Sequence, residues 1–144
     1  MNQHLEKFKL MGLTVRTTNQ GGQSQQDISA LYANFFSNNL AGKIPGKITT
    51  DLICAYTEYE SDMNGPYTVL LGYKVSDQAV TPEGLHSIIV PAMNYQLFNS
   101  PDANPETVVQ TWMQIWNSDI PRAYQTDFDI YLHNGRVETF VSVK

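Results

Sequence analysis

The 144-residue sequence predicts an α+β fold: a tandem duplication of a βαββ unit, with antiparallel sheets, two helices and a ligand cleft between the units. Three observations predict it. Strand-like and helix-like segments follow the order β-α-β-β twice, and each half closes on a turn-linked pair of strands. Short stretches of the halves also correspond: Gly12-Leu13 with Gly84-Leu85, and Thr57-Glu58-Tyr59-Glu60 with Thr126-Asp127-Phe128-Asp129. The length suits one domain, residues 1–144, with repeats over approximately 8–76 and 84–144.

The first strand runs from Phe8 to Thr17 and is broken by the polar, glycine-rich Asn19–Gly22. A helix starts near Gln26-Asp27, because Ile28, Leu31, Tyr32, Phe35 and Phe36 fall on one helical face. It decays at Asn38-Asn39 and Gly42, before Pro45-Gly46. Asp51 to Tyr59 and Tyr67 to Val75 are β-branched and aromatic, joined by the turn from Glu60 to Pro66. They make a hairpin.

The second half opens with a strand from Leu85 to Ala92, extended towards Phe98, and a loop from Ser100 to Pro105. The helix that follows carries Val108, Val109, Trp112, Met113, Ile115 and Trp116 on its apolar side, and Pro121 closes it. Asp127 to His133 and Arg136 to Val143 form the last hairpin, turned by Asn134-Gly135.

Composition narrows the function. Nine basic and fourteen acidic side chains leave a net charge of −5, and the basic residues are scattered. Binding a polyanion needs a basic stripe, so no direct nucleic-acid contact is expected. The N-terminus has no apolar signal core and no run reaches membrane-spanning length, which points to a cytoplasmic protein without a membrane partner. Cys54, the single cysteine, lies in the apolar run Leu52–Ala55 and reads as a small buried hydrophobe. His4, His86 and His133 lack metal-pair spacing, so neither a metal nor a cofactor is expected.

Strand alternation supplies candidate site residues. In the last hairpin Thr126, Phe128, Ile130 and Leu132 share one face, suited to packing under a helix, while Asp127, Asp129, Tyr131 and His133 share the other. In the first unit, Cys54, Tyr56, Glu58 and Glu60 oppose Ile53, Ala55, Thr57 and Tyr59. Two faces mixing carboxylate with phenol, meeting about a pseudo-twofold axis, would wall a cleft for an organic cation. The competing reading is a solvated sheet face.

Four stretches carry a resemblance: Lys9–Asn19 (KLMGLTVRTTN), Tyr56–Asp62 (YTEYESD), Gly65–Val75 (GPYTVLLGYKV) and Pro121–Tyr131 (PRAYQTDFDIY). In this order they resemble the GyrI-like and AraC-type effector-binding domains, and look closest to the single-domain members carried in integron gene cassettes. The resemblance implies a stand-alone effector-binding protein taking lipophilic, often cationic compounds between its repeats, as ligand sensor for a separate DNA-binding regulator chain. It implies an acid at the cleft floor within an aromatic-acid-x-Tyr motif, here Phe128-Asp129-Ile130-Tyr131, with Asp129 where the family usually has Glu. Tyr131 carries over with it, and Tyr56, Tyr73, Trp112, Trp116 and Glu58 complete the expected site. For the two tryptophans ordinary core packing competes. The alternative function is a hydrolase acting on reactive small molecules in the same cleft.

Overall fold

A computed structural model describes residues 2–62 and 64–144. Its elements are β1 (Asn2–Leu5), β2 (Phe8–Thr17), α1 (Gln23–Ser37), β3 (Leu52–Thr57), β4 (Tyr67–Val75), β5 (His86–Val90), β6 (Met93–Ser100), α2 (Pro105–Trp116), β7 (Thr126–Tyr131) and β8 (Val137–Val143). All eight strands join one antiparallel sheet in the order β1-β6-β8-β7-β3-β4-β2-β5. The α+β class and the two hairpins, β3–β4 and β7–β8, are as the sequence predicts. Met63, inside the predicted turn, lies outside the described residues.

The order forces the sheet to curl. β5 and β6 stand six places apart, roughly 29 Å in a flat sheet at about 4.8 Å per strand. Only Pro91 and Ala92 separate them, and Val90 to Met93 spans at most roughly 11 Å of chain. β1 and β2, also six places apart, are linked by Glu6 and Lys7 alone. The sheet therefore wraps until its ends meet. Here the sequence reading needs correction: the strand expected from Leu85 towards Phe98 is two strands, β5 on β2 and β6 between β1 and β8. Pro91, which cannot donate to a ladder, sits at the corner.

The wrapped face encloses Phe8, Leu10, Ile53, Ala55, Leu70, Val90, Tyr95, Phe128 and Phe140. Phe128 and Phe140 stack at 4.9 Å, and Tyr95 meets Phe128 edge-on at 5.4 Å. The helices cover the outer face. α1 buries Leu31 and Phe35 against Met11, Val69 and Leu71 of β2 and β4. Each such side chain stabilises the fold by about 1.5–3 kcal/mol. α2 lays Val108, Trp112 and Ile115 on Val137 and Val141 of β8.

Two helix details differ from expectation. α1 begins at Gln23, ahead of Gln26-Asp27, because left-handed Gly21 and Gly22 (φ 64° and 73°) set its start without a capping side chain. On α2, Val109, Met113 and Trp116 are exposed, since six apolar residues wrap further round the helix than one sheet contact can cover. Its start is conventional: Asn104 accepts from the Glu106 N–H at 3.1 Å, and Pro105 occupies the first turn.

β2 and β4 meet at a pair of glycines, Gly12 opposite Gly72. A Cβ on Gly12 would overlap the Leu71 carbonyl, and one on Gly72 the Met11 carbonyl. Gly12→Ala is expected to cost about 2–4 kcal/mol by forcing main chains apart. Urea unfolding should show a lower midpoint at an unchanged slope. The apparent sequence repeats do not mark equivalent places: Gly12 is inside β2, whereas Gly84 precedes β5 at φ 87°.

Candidate ligand-binding site

β3 and β7 lie at the centre of the sheet, pairing Cys54 with Asp129 and Tyr56 with Asp127. Cross-strand partners share a face, so the acidic and phenolic side chains point together to the outer side, where Tyr32 of α1 and Trp112 of α2 reach them. The assignment of faces is thereby reversed for the last hairpin. Phe128, expected under a helix, fills the wrapped interior, and Asp129 and Tyr131 occupy the helix-covered side.

Asp129 is fully buried. Tyr56 donates to Oδ2 at 2.9 Å, Thr139 donates to Oδ1 at 2.5 Å, and the Trp112 indole N–H lies 3.2 Å from both oxygens. None of these donors is charged. Burial lifts the carboxyl from 3.8 to about 6, against the opposing pull of the three donors. Asp127 is buried equally deeply but differently served. It accepts from Arg122 Nη2 at 2.8 Å, from Tyr59 at 2.7 Å, and from the Ser142 N–H and hydroxyl at 2.7 and 2.9 Å. It belongs to a closed ion pair; Asp129 does not.

Aromatic rings surround these acids in a closed circuit. Tyr56 contacts Tyr67 at 6.3 Å, Tyr67 contacts Tyr59 at 5.6 Å, and Tyr59 contacts Tyr124 at 5.7 Å. The Arg122 guanidinium lies 4.4 Å over Tyr124 and 5.8 Å from Trp112, and Trp112 returns to Tyr56 at 5.2 Å. On the α1 side Tyr32 and Tyr131 share a hydrogen bond of 2.9 Å beside Cys54. Burial pushes the phenols of Tyr32, Tyr56, Tyr59 and Tyr131 well up, and the Cys54 thiol to about 12, so all stay neutral.

Of the residues named from the sequence, Asp129, Tyr131, Tyr56 and Trp112 come together. Trp116 lies 6.4 Å beyond Trp112 and 39% exposed, at the rim. Tyr73 is displaced, at 6.2 Å from Phe35 with Lys47 over its ring. Glu58 is exposed, with only its carbonyl engaged, by Arg16 at 2.6 Å. The reason is local: β3 ends at Thr57, and Glu58 adopts a left-handed φ of 52°, which breaks the alternation. Tyr59, assigned to the apolar side, is thereby turned onto Asp127. Tyr32, Tyr67, Tyr124 and Arg122 were not singled out as site residues. Tyr32 stands on α1, Tyr67 opens β4, and Arg122 and Tyr124 precede β7, so only the packed fold groups them and no local pattern encodes it.

Comparison with known proteins fits this architecture. A Bacillus subtilis (strain 168) protein, YobU, described as a candidate transcriptional regulator, is 28% identical over 139 residues, covering 93% of this chain and 87% of its own. The integron cassette protein VCH_CASS2 from the mobile metagenome of Vibrio cholerae superposes with a TM-score of 0.79 at 27% identity, over 100% of this chain and 95% of that one. SAV2435, solved with tetraphenylphosphonium bound, shares the fold at a TM-score of 0.79 and 14% identity, over 100% and 93% of the two chains. The integron-associated effector binding protein family (Cass2) matches residues 3–143, and the chain belongs to it.

Proposed function

We propose that residues 1–144 act as one effector-binding domain that takes lipophilic organic monocations into the valley between α1 and α2, with Asp129 as counter-charge. The observation that carries this reading is a fully buried carboxylate held by three neutral donors and, among the described residues, no cation, inside a shell of aromatic rings. A buried charge without a partner is costly, and an organic cation offers both the missing charge and the flat surface the rings favour. The tetraphenylphosphonium complex of SAV2435, a protein of the same fold, supports the ligand class. Trp112 and Tyr56 cover the carboxylate, so a ligand must part them to reach it. Both α-helices of the described residues pack on the sheet, so in a sensing role the DNA contacts would come from outside this domain, for which a regulator chain is the proposed source.

Tetraphenylphosphonium at a hundred times its Kd should stabilise the chain by about 2.7 kcal/mol in a thermal-shift measurement. Calorimetric affinity should be about tenfold weaker at pH 5 than at pH 7, because a carboxyl at about 6 must lose its proton to serve the cation. Asp129→Asn should flatten that profile and weaken the phosphonium far more than neutral triphenylmethanol. Equal losses for both compounds would remove the charge from the mechanism, and no binding by any lipophilic cation would end the reading.

A further inference from the structure

We infer that Arg122 forms a second anchor in this valley, for a neutral carbonyl oxygen (ester, amide or ketone) carried by the cationic ligand. The inference rests on the cation-binding reading above and narrows its ligand class. Arg122 is only 7% exposed, yet Nε and Nη1 have no hydrogen-bond partner among the described residues and are themselves buried from solvent. Only Nη2 is engaged, with Asp127 at 2.8 Å. Buried donors in folded proteins almost always find an acceptor, so two idle nitrogens on one guanidinium need an explanation.

The group is held rather than loose. Its residue bridges to Val143, and the next N–H, from Ala123, donates to Ser142 at 2.9 Å. Beneath the guanidinium at 4.4 Å lies Tyr124, kept there by a left-handed φ of 52° that tyrosine rarely adopts. Beside it lies Trp112, whose indole N–H reaches Asp129. A cation partner and a hydrogen-bond donor thus flank a single aromatic ring. A ligand lying along that ring would meet both.

Charge decides between neutral and anionic acceptors. Asp127 already balances Arg122, and a ligand cation balances Asp129. A carboxylate on the ligand would add an unmatched buried charge; a carbonyl oxygen would not.

Three matched probes test this: pentyltriphenylphosphonium, an analogue of equal chain length ending in a methyl ester, and the corresponding free acid. In the parent chain the ester should bind about tenfold tighter than the alkyl compound, and the acid should show no such gain. In Arg122→Lys, which keeps a charge for Asp127 but loses the idle nitrogens, the ester-to-alkyl affinity ratio should fall to about one. As a readout independent of that variant's folding, the Arg122 Nε–H resonance of the parent should shift with the ester and not with the alkyl probe. An ester no tighter than the alkyl compound, an advantage that survives Arg122→Lys, or an acid that binds tightest would overturn the inference while leaving the cation reading intact. Failure of all three probes to bind would overturn both.

Discussion

Asp129→Asn should make the ligand-free chain more stable at neutral pH, by roughly 3 kcal/mol. The folded carboxyl is raised from 3.8 to about 6, mainly by burial, so between these values the folded state holds a proton that the unfolded state has released. The stability contributed by the protonated form is complete below about pH 3.8 and is lost as the pH rises through about 6. The direction is opposite to that of a salt-bridged aspartate. An amide has no such dependence: its oxygen can still accept from Trp112 and Thr139, while the Tyr56 hydroxyl can rotate to receive an N–H. Denaturant unfolding of both chains from pH 4 to pH 7.5 gives the difference. It should grow with pH and level off above about 6; a difference independent of pH would mean that burial does not penalise the charge.

Arg122→Met should do the reverse and cost about 3–5 kcal/mol, because it strands Asp127 as a lone buried charge. The Asp127 carboxylate would keep Tyr59 and Ser142 as donors but lose its counter-charge. Restoring a neutral interior with Asp127→Asn in the same chain should recover part of the loss, and the coupling between the two changes measures the pair. Circular dichroism melts of the two single variants and the double variant suffice. Additive losses would show that the pair contributes nothing beyond its separate contacts.

The two acids sit two residues apart on one strand and share a face, yet their roles are opposed: one is partnered for stability, the other left unpartnered at a cost. Under the proposed reading, a site that binds charge holds some of its own unsatisfied, and stability is what it gives up.

The sequence foretold much of the frame. β2 and β4 fall at the expected residues, Phe8–Thr17 and Tyr67–Val75, because long apolar runs bounded by polar turns leave little choice. Asp129, Tyr131, Tyr56 and Trp112, which the structure brings together, were also reachable, three of them from strand alternation. What escaped was non-local or conformational. β1 is polar, Asn-Gln-His-Leu, and is a strand only because β6 offers it an edge. The corner at Pro91-Ala92 follows from wrapping, which no window of sequence contains. The exchange of Glu58 for Tyr59 at the site turns on one positive φ at a residue type that seldom takes it.

The two short corners, Glu6-Lys7 and Pro91-Ala92, also fix how the halves depend on each other. Each half sends its opening strand across to complete the other's border, β1 onto β6 and β5 onto β2. Neither possesses a finished sheet alone. The chain is clasped like interlaced fingers, so loosening one grip unseals the same oily interior that the other protects, and the protein comes apart as a whole rather than by halves.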